Sequence, residues 1–120
     1  MALERFDLSG RTALITGAAG LLGIEHASAL LERGAVVVLT DISDAPLAAA
    51  RATLAPLAVA ARVVTHVMDV SQPEAIRAVA DQLATEGRRV DILVNNAAID
   101  PKVTGDRGVL ETSRLEIFSL

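Results

Sequence analysis

Four short apolar runs recur along the chain, and each gap between them carries the spacing of a helix. That alternation constrains the fold more than any other feature. The first run is "TALIT" at 12–16. After it, Ile24, Ala27 and Leu31 recur at helical spacing with Glu25, Glu32 and Arg33 between them, and Gly34 supplies a C-terminal stop. The second run, "AVVVLT" at 35–40, is continuous and β-branched, which suits a strand buried on both faces. An Ala-rich stretch at 44–61 follows, with Leu47, Leu54 and Leu57 to bury, and the helix it predicts ends near Pro56. "RVVTHVMDV" at 62–70 is the third strand. Ser71 and Glu74 then have the spacing of a capping box ahead of a helical face of Ile76, Val79, Ala80 and Leu83, closed by Gly87. "VDILVNN" at 90–96 is the fourth strand, and a further helix is expected to begin at Val109. Strands alternating with helices imply parallel pairing through right-handed crossovers. The fold class expected is therefore α/β, an open doubly wound parallel sheet whose ligand site lies beyond the carboxyl ends of its strands.

The chemistry concentrates at those ends. In "ITGAAGLLGIEHA", Gly17, Gly20 and Gly23 stand where the first strand gives way to the first helix. A tight turn there needs backbone angles that glycine visits cheaply, and a missing Cβ lets the main chain approach a pyrophosphate. The helix N-terminus offers unpaired N–H groups and a partial positive charge to the same phosphates. Three glycines alone make only a turn. Following a strand, opening a helix and lying within a βαβ unit, they point to a dinucleotide. Asp41 ends the second strand, where a carboxylate accepts hydrogen bonds from both hydroxyls of an adenosine ribose. The same carboxylate repels a 2′-phosphate, so NAD is expected in preference to NADP. Asp69 ends the third strand, where it either caps a turn or faces an adenine ring. Asn95 and Asn96 end the fourth; paired Asn are turn formers, but at this edge a place beside the cofactor is favoured.

Together "TGAAGLLG", "DI" at 41–42, "DV" at 69–70 and "DILVNNAA" at 91–98 resemble the short-chain dehydrogenase/reductase family over nearly the whole chain. The resemblance implies a Rossmann-type sheet with strand order 3-2-1-4. It assigns Gly17, Ala18, Ala19, Gly20 and Leu22, with Gly23, to the pyrophosphate, and Asp41 to the ribose with Ile42 beside the adenine. It sets Asp69 and Val70 against the adenine, and Asn95, Asn96 and Ala97 at the end of the fourth strand and along the cofactor's second ribose. The implied activity is hydride transfer between NAD and an alcohol or ketone, by a cytoplasmic protein that forms a homo-oligomer at full length.

Three departures qualify that picture. The glycine rhythm is TGxxGxxG, as in the family's longer branch of nucleotide-sugar epimerases and dehydratases, where the main branch has TGxxxGxG. The Asn-Asn pair argues back toward the main branch. Ala98 stands where the family usually has Gly. The catalytic Tyr, Lys and Ser that the family uses have no counterpart: there is no Tyr, the only lysine is Lys102 in a loop, Ser113 and Ser119 lie too early, and no Asn follows Asn96. Residues 1–120 are thus expected to be the dinucleotide-binding half of a longer enzyme, an incomplete domain without catalytic residues. The alternatives are a complete, non-catalytic dinucleotide-binding module, or half of a nucleotide-sugar epimerase or dehydratase.

Composition narrows the remaining classes. Hydrophobic residues make up 52% of the chain, too many for a disordered segment. A net charge of −4 with no basic stripe argues against nucleic acid and anionic membranes as partners. Without cysteine there is no disulfide and no thiolate metal site. His26 reads as a solvated helix residue and His66 as a packed strand residue, so no metal site is expected. No apolar run reaches the ~18 residues of a membrane span.

Overall fold

The computed structural model describes residues 6–97. The elements alternate as β1 (Thr12–Ile15), α1 (Leu21–Glu32), β2 (Val36–Asp41), α2 (Asp44–Leu54), β3 (Val63–Val67), α3 (Pro73–Thr85) and β4 (Ile92–Val94), with 3-10 turns at Ala55–Leu57 and Ala60–Arg62 before β3. All strand pairs are parallel, in the order β3-β2-β1-β4. Leu14 lies opposite Val38 on one side and Leu93 on the other, so β1 is the centre of the sheet.

The period of two along the strands divides the core into layers. Ile15, Val37 and Leu39 face Ala27 and Leu31 of α1 and Leu47, Ala50 and Leu54 of α2. Leu14 and Val38 point the other way, onto Ile76, Val79 and Leu83 of α3, with Met68 and Val70 filling the space beside them. The four central residues of β2, Val37 to Thr40, are fully buried, as a strand sandwiched between helices requires.

Boundaries differ from the sequence expectation where side chains compete for the backbone. The capping box at Ser71 and Glu74 does not form. The N-cap of α3 is Gln72, without a side-chain cap, and Pro73 opens the helix. Ser71 instead gives both its amide and its hydroxyl to Asp69 Oδ1, at 2.9 and 2.6 Å. The carboxylate is the stronger acceptor, and it draws Ser71 backward into an Asx turn. β3 stops at Val67, two residues before Asp69, and β4 stops at Val94, just before Asn95 and Asn96. The helix α2 gives way to the 3-10 turn that holds Pro56, as expected. The expected helix from Val109 lies outside the described residues.

Arg62 fastens the end of α1 to the start of β3. Its Nη2 donates to Leu31 O at 2.6 Å and Ala35 O at 2.9 Å, and its Nε donates to Ala35 O at 3.2 Å. Carbonyls at a helix end lack partners in their own helix, and a guanidinium there also favours the helix dipole. Arg62→Met keeps the apolar stem and deletes the donors; it should lower unfolding free energy by about 1–2 kcal/mol in urea titration. His66 sits half-buried on β3, its Nε2 3.8 Å from Glu86 Oε1. Glu86 is held below the usual carboxylate range, chiefly by the hydrogen bond from the Gln82 side chain and also by Arg88.

Candidate functional site

The glycine junction is built by two different contacts. Gly17 has φ +60°, which a side chain rarely adopts, and a Cβ there would stand 2.8 Å from Ala97 Cα. This glycine is what lets the end of β1 touch the segment leaving β4. Gly23, in the first turn of α1, would put a Cβ 2.6 Å from Ala18 Cα and 2.7 Å from two carbonyl oxygens. It lets the helix lie directly on the loop. Gly20 is unlike both: its φ is −80°, and the nearest atom to a Cβ would be 3.6 Å away. Gly20 is exposed, and a Cβ there would make only an ordinary contact with Gly17 O.

A second set of bonds holds the loop in place. Ala18 N–H donates to Thr40 O at 3.0 Å, and Ala19 N–H donates to Asp41 Oδ2 at 3.0 Å. Asn96 Nδ2 donates to Gly17 O at 3.0 Å. Thr16, fully buried, accepts the amides of Asn96 and Ala97 on its hydroxyl, each at 3.0 Å. Beyond the loop, the amides of Leu21, Leu22 and Gly23 have no hydrogen-bond partner among the described residues, and the first turn of α1 holds no acidic residue. A helix N-terminus of this kind is suited to an anion.

Beside it opens a cleft of about 340 Å³ lined by Gly17, Asp41, Ile42, Met68, Asp69, Val70, Ser71 and Ala97. The structure therefore gathers Gly17, Asp41, Ile42, Asp69, Val70 and Ala97 around one cavity, with Ala18 and Ala19 buried or half-buried behind it. Ile42, which lines it, is 69% exposed, and Leu22 in the first turn of α1 is 67% exposed. The two Asn residues separate. Asn96 is committed to the loop, while Asn95 is exposed and makes no hydrogen bond with another described residue. Asp41 Oδ1 accepts Ile42 N–H at 2.8 Å. Asp69 Oδ1 accepts both bonds from Ser71, and Asp69 lines the cleft. Among the described residues two aspartates line the cavity and neither Lys nor Arg does. Among the described residues no three His, Cys, Asp or Glu side chains come together as a metal site. Lys102, Ser113, Ser119 and Ala98 lie outside the described residues.

Thr16, Thr40 and Met68 were not legible as site residues. The two threonines are placed by partners far away in sequence, and Met68 is an apolar wall whose position depends on where β3 ends.

The profile of the short chain dehydrogenase family matches residues 11–117. The chain belongs to that family. A short chain dehydrogenase/reductase of Macrophomina phaseolina is 40% identical over 96 residues, which cover 80% of this chain and 54% of that protein. A galactitol 2-dehydrogenase of Agrobacterium fabrum is 35% identical over 113 residues, 94% of this chain and 42% of the relative. Among solved structures, a Pseudomonas aeruginosa RhlG/NADP active-site complex superposes with a TM-score of 0.79 at 32% identity, covering 95% of this chain and 46% of that one. This short-chain dehydrogenase chain thus spans about half the length, or less, of the relatives it matches. Its order β3-β2-β1-β4 is the Rossmann-like arrangement of the family's solved structures.

Proposed function

We propose that this chain is the dinucleotide-binding half of an NAD-dependent short-chain dehydrogenase. The whole enzyme would move a hydride between nicotinamide and the carbinol carbon of a small alcohol or ketone. The observation that carries the reading is the cleft at the carboxyl edge of the sheet, lined by Asp41 and Gly17, where Asp41 also accepts the Ala19 amide of the glycine turn. The residues fit a dinucleotide. Gly17, Ala18, Ala19, Gly20, Leu22 and Gly23 would cradle the pyrophosphate. Asp41 would take the adenosine ribose, with Ile42, Asp69 and Val70 around the adenine. Asn95 and Ala97 would border the second ribose, and Asn96 would hold the loop. The cofactor supplies the hydride chemistry when bound; these residues bind and orient it.

NAD is favoured over NADP because a 2′-phosphate would enter a cavity lined by two aspartates, with no cation among the described residues that line it. The relatives' names, galactitol 2-dehydrogenase and sorbitol dehydrogenase among them, support a polyol or related alcohol as substrate. The proton-transfer residues would come from a further segment, since none of the chain's side chains occupies the family's Tyr and Lys roles. A cytoplasmic setting and a full-length homo-oligomer belong to the same proposal. Among the described residues no helix is long and apolar enough to cross a membrane.

Titration calorimetry tests the reading. NAD should bind, NADP should bind more weakly, and Asp41→Ala should weaken NAD by about 1–3 kcal/mol, the scale of lost hydrogen bonds to a charged group. Unchanged NAD affinity in that variant removes Asp41 from the site. Binding of a nucleotide-sugar instead would favour the epimerase branch that the TGxxGxxG rhythm resembles.

A further inference from the structure

Asp41 is occupied before any cofactor arrives. Its two carboxylate oxygens each accept one backbone amide, Oδ2 from Ala19 and Oδ1 from Ile42. With the Ala18 amide on Thr40 O, two successive amides of the glycine loop are held by two successive residues at the end of β2, one through main chain and one through side chain. Gly20 N–H turns back onto Gly17 O at 3.3 Å. The loop is therefore divided. Amides 18 to 20 are tied within the protein, and amides 21 to 23 have no partner among the described residues.

We propose that Asp41 is a positioning residue that orders the glycine loop in the cofactor-free protein, so that cofactor choice and phosphate-loop order are coupled through one side chain. A carboxylate presents about four acceptor directions. Two are used by Ala19 and Ile42, which leaves one on each oxygen. Two adjacent acceptors, one per oxygen, match the two donors of a vicinal diol. Phosphate has no such donors. Asparagine cannot take over the role, because it has one acceptor oxygen and an NH₂ group. That NH₂ would face either the Ala19 or the Ile42 amide, donor against donor. The loop itself thus requires the carboxylate, independently of the ribose. A change at Asp41 intended to admit NADP would also loosen the loop that carries the pyrophosphate, and the affinity for both cofactors would fall. This last consequence rests on the dinucleotide reading; the ordering of the loop does not.

Amide hydrogen exchange on the cofactor-free protein, followed residue by residue by NMR, separates the two. In the parent protein the Ala19 amide should exchange at least about tenfold more slowly than Leu22, which has no partner among the described residues. In Asp41→Asn the Ala19 amide should speed up by about tenfold or more while Leu14 in the core of β1 keeps its rate. If Ala19 exchanged as fast as Leu22 in the parent, or kept its rate in the variant, the proposal would be overturned. The parent comparison decides the matter even if the variant does not fold. Calorimetry on the folded variant then tests the coupling. Weaker binding of both NAD and NADP supports it, and a gain in NADP affinity refutes it. A parent protein that binds neither nucleotide would remove the dinucleotide reading and leave the exchange result to judge the loop.

Discussion

Gly23→Ala should cost the protein about 3 kcal/mol or more, or prevent folding, while Gly20→Ala should leave the cofactor-free protein as stable as before. The two substitutions add the same methyl group three residues apart, and helix propensity alone predicts that Gly23→Ala gains about 1 kcal/mol. Packing decides otherwise. A Cβ at Gly23 would lie 2.6–2.7 Å from Ala18 Cα, Ala18 O and Gly17 O, all backbone atoms, so no rotamer change relieves the overlap. The helix must lift off the loop or the loop must leave Thr40 and Asp41, which hold it at 3.0 Å. At Gly20 the backbone is extended with negative φ and the nearest atom is 3.6 Å away. Alanine there also removes freedom from the unfolded chain, which favours the folded state by about 0.4–1 kcal/mol. Its penalty should appear only with ligand, as at least about a tenfold loss of NAD affinity, one hydrogen bond's worth of closer approach. Thermal melts with and without NAD separate the cases. A Gly23→Ala protein melting with the parent contradicts the packing, and a Gly20→Ala protein with unchanged NAD affinity moves the pyrophosphate elsewhere.

The contrast between these glycines shows where sequence reading stops. The strand–helix alternation was legible because strand and helix periods are local: Val37 to Leu39 read as a doubly buried strand, and Ala27 and Leu31 as the inner face of α1, whereas the sheet order β3-β2-β1-β4 was implied by the family resemblance and not by periodicity. The glycines were legible as a group. Which of them is required by close packing and which would tolerate a side chain depends on what lies opposite, and for Gly17 that is Ala97, from the far end of the described chain. The same limit separates Asn95 from Asn96. As letters they are alike; one side chain reaches Gly17 O and the other stays at the surface. Ser71 failed as a helix cap through a more local competition, since Asp69 stands two residues away and accepts its hydroxyl first. Asp41 stood out in the sequence as a candidate site residue from its place after a β-branched run, but its grip on Ala19 is a tertiary contact that no spacing encodes.

Thr16→Val should destabilise the protein by about 2–4 kcal/mol and weaken NAD binding with it, although the two side chains have nearly the same shape. Thr16 is fully buried, and its hydroxyl accepts both the Asn96 and the Ala97 amides. Asn96 N–H has a second acceptor in Val94 O at 3.0 Å, so the larger loss falls on Ala97. A donor stripped of its partner in a water-poor setting costs more than the net value of the bond, about 1–3 kcal/mol. That cost is spent where the site is assembled. Ala97 is the residue pressed against Gly17, and Asn96 next to it holds the Gly17 carbonyl, so releasing the chain after β4 also releases the first glycine of the loop. Serine retains the hydroxyl and loses only a methyl, and Thr16→Ser should keep NAD affinity within about threefold while losing about 1 kcal/mol of stability. Urea titration and calorimetry on the pair isolate the hydroxyl. If valine and serine behaved alike, the two amides would be drawing on another acceptor, and the end of β4 would be held by packing against Gly17 alone.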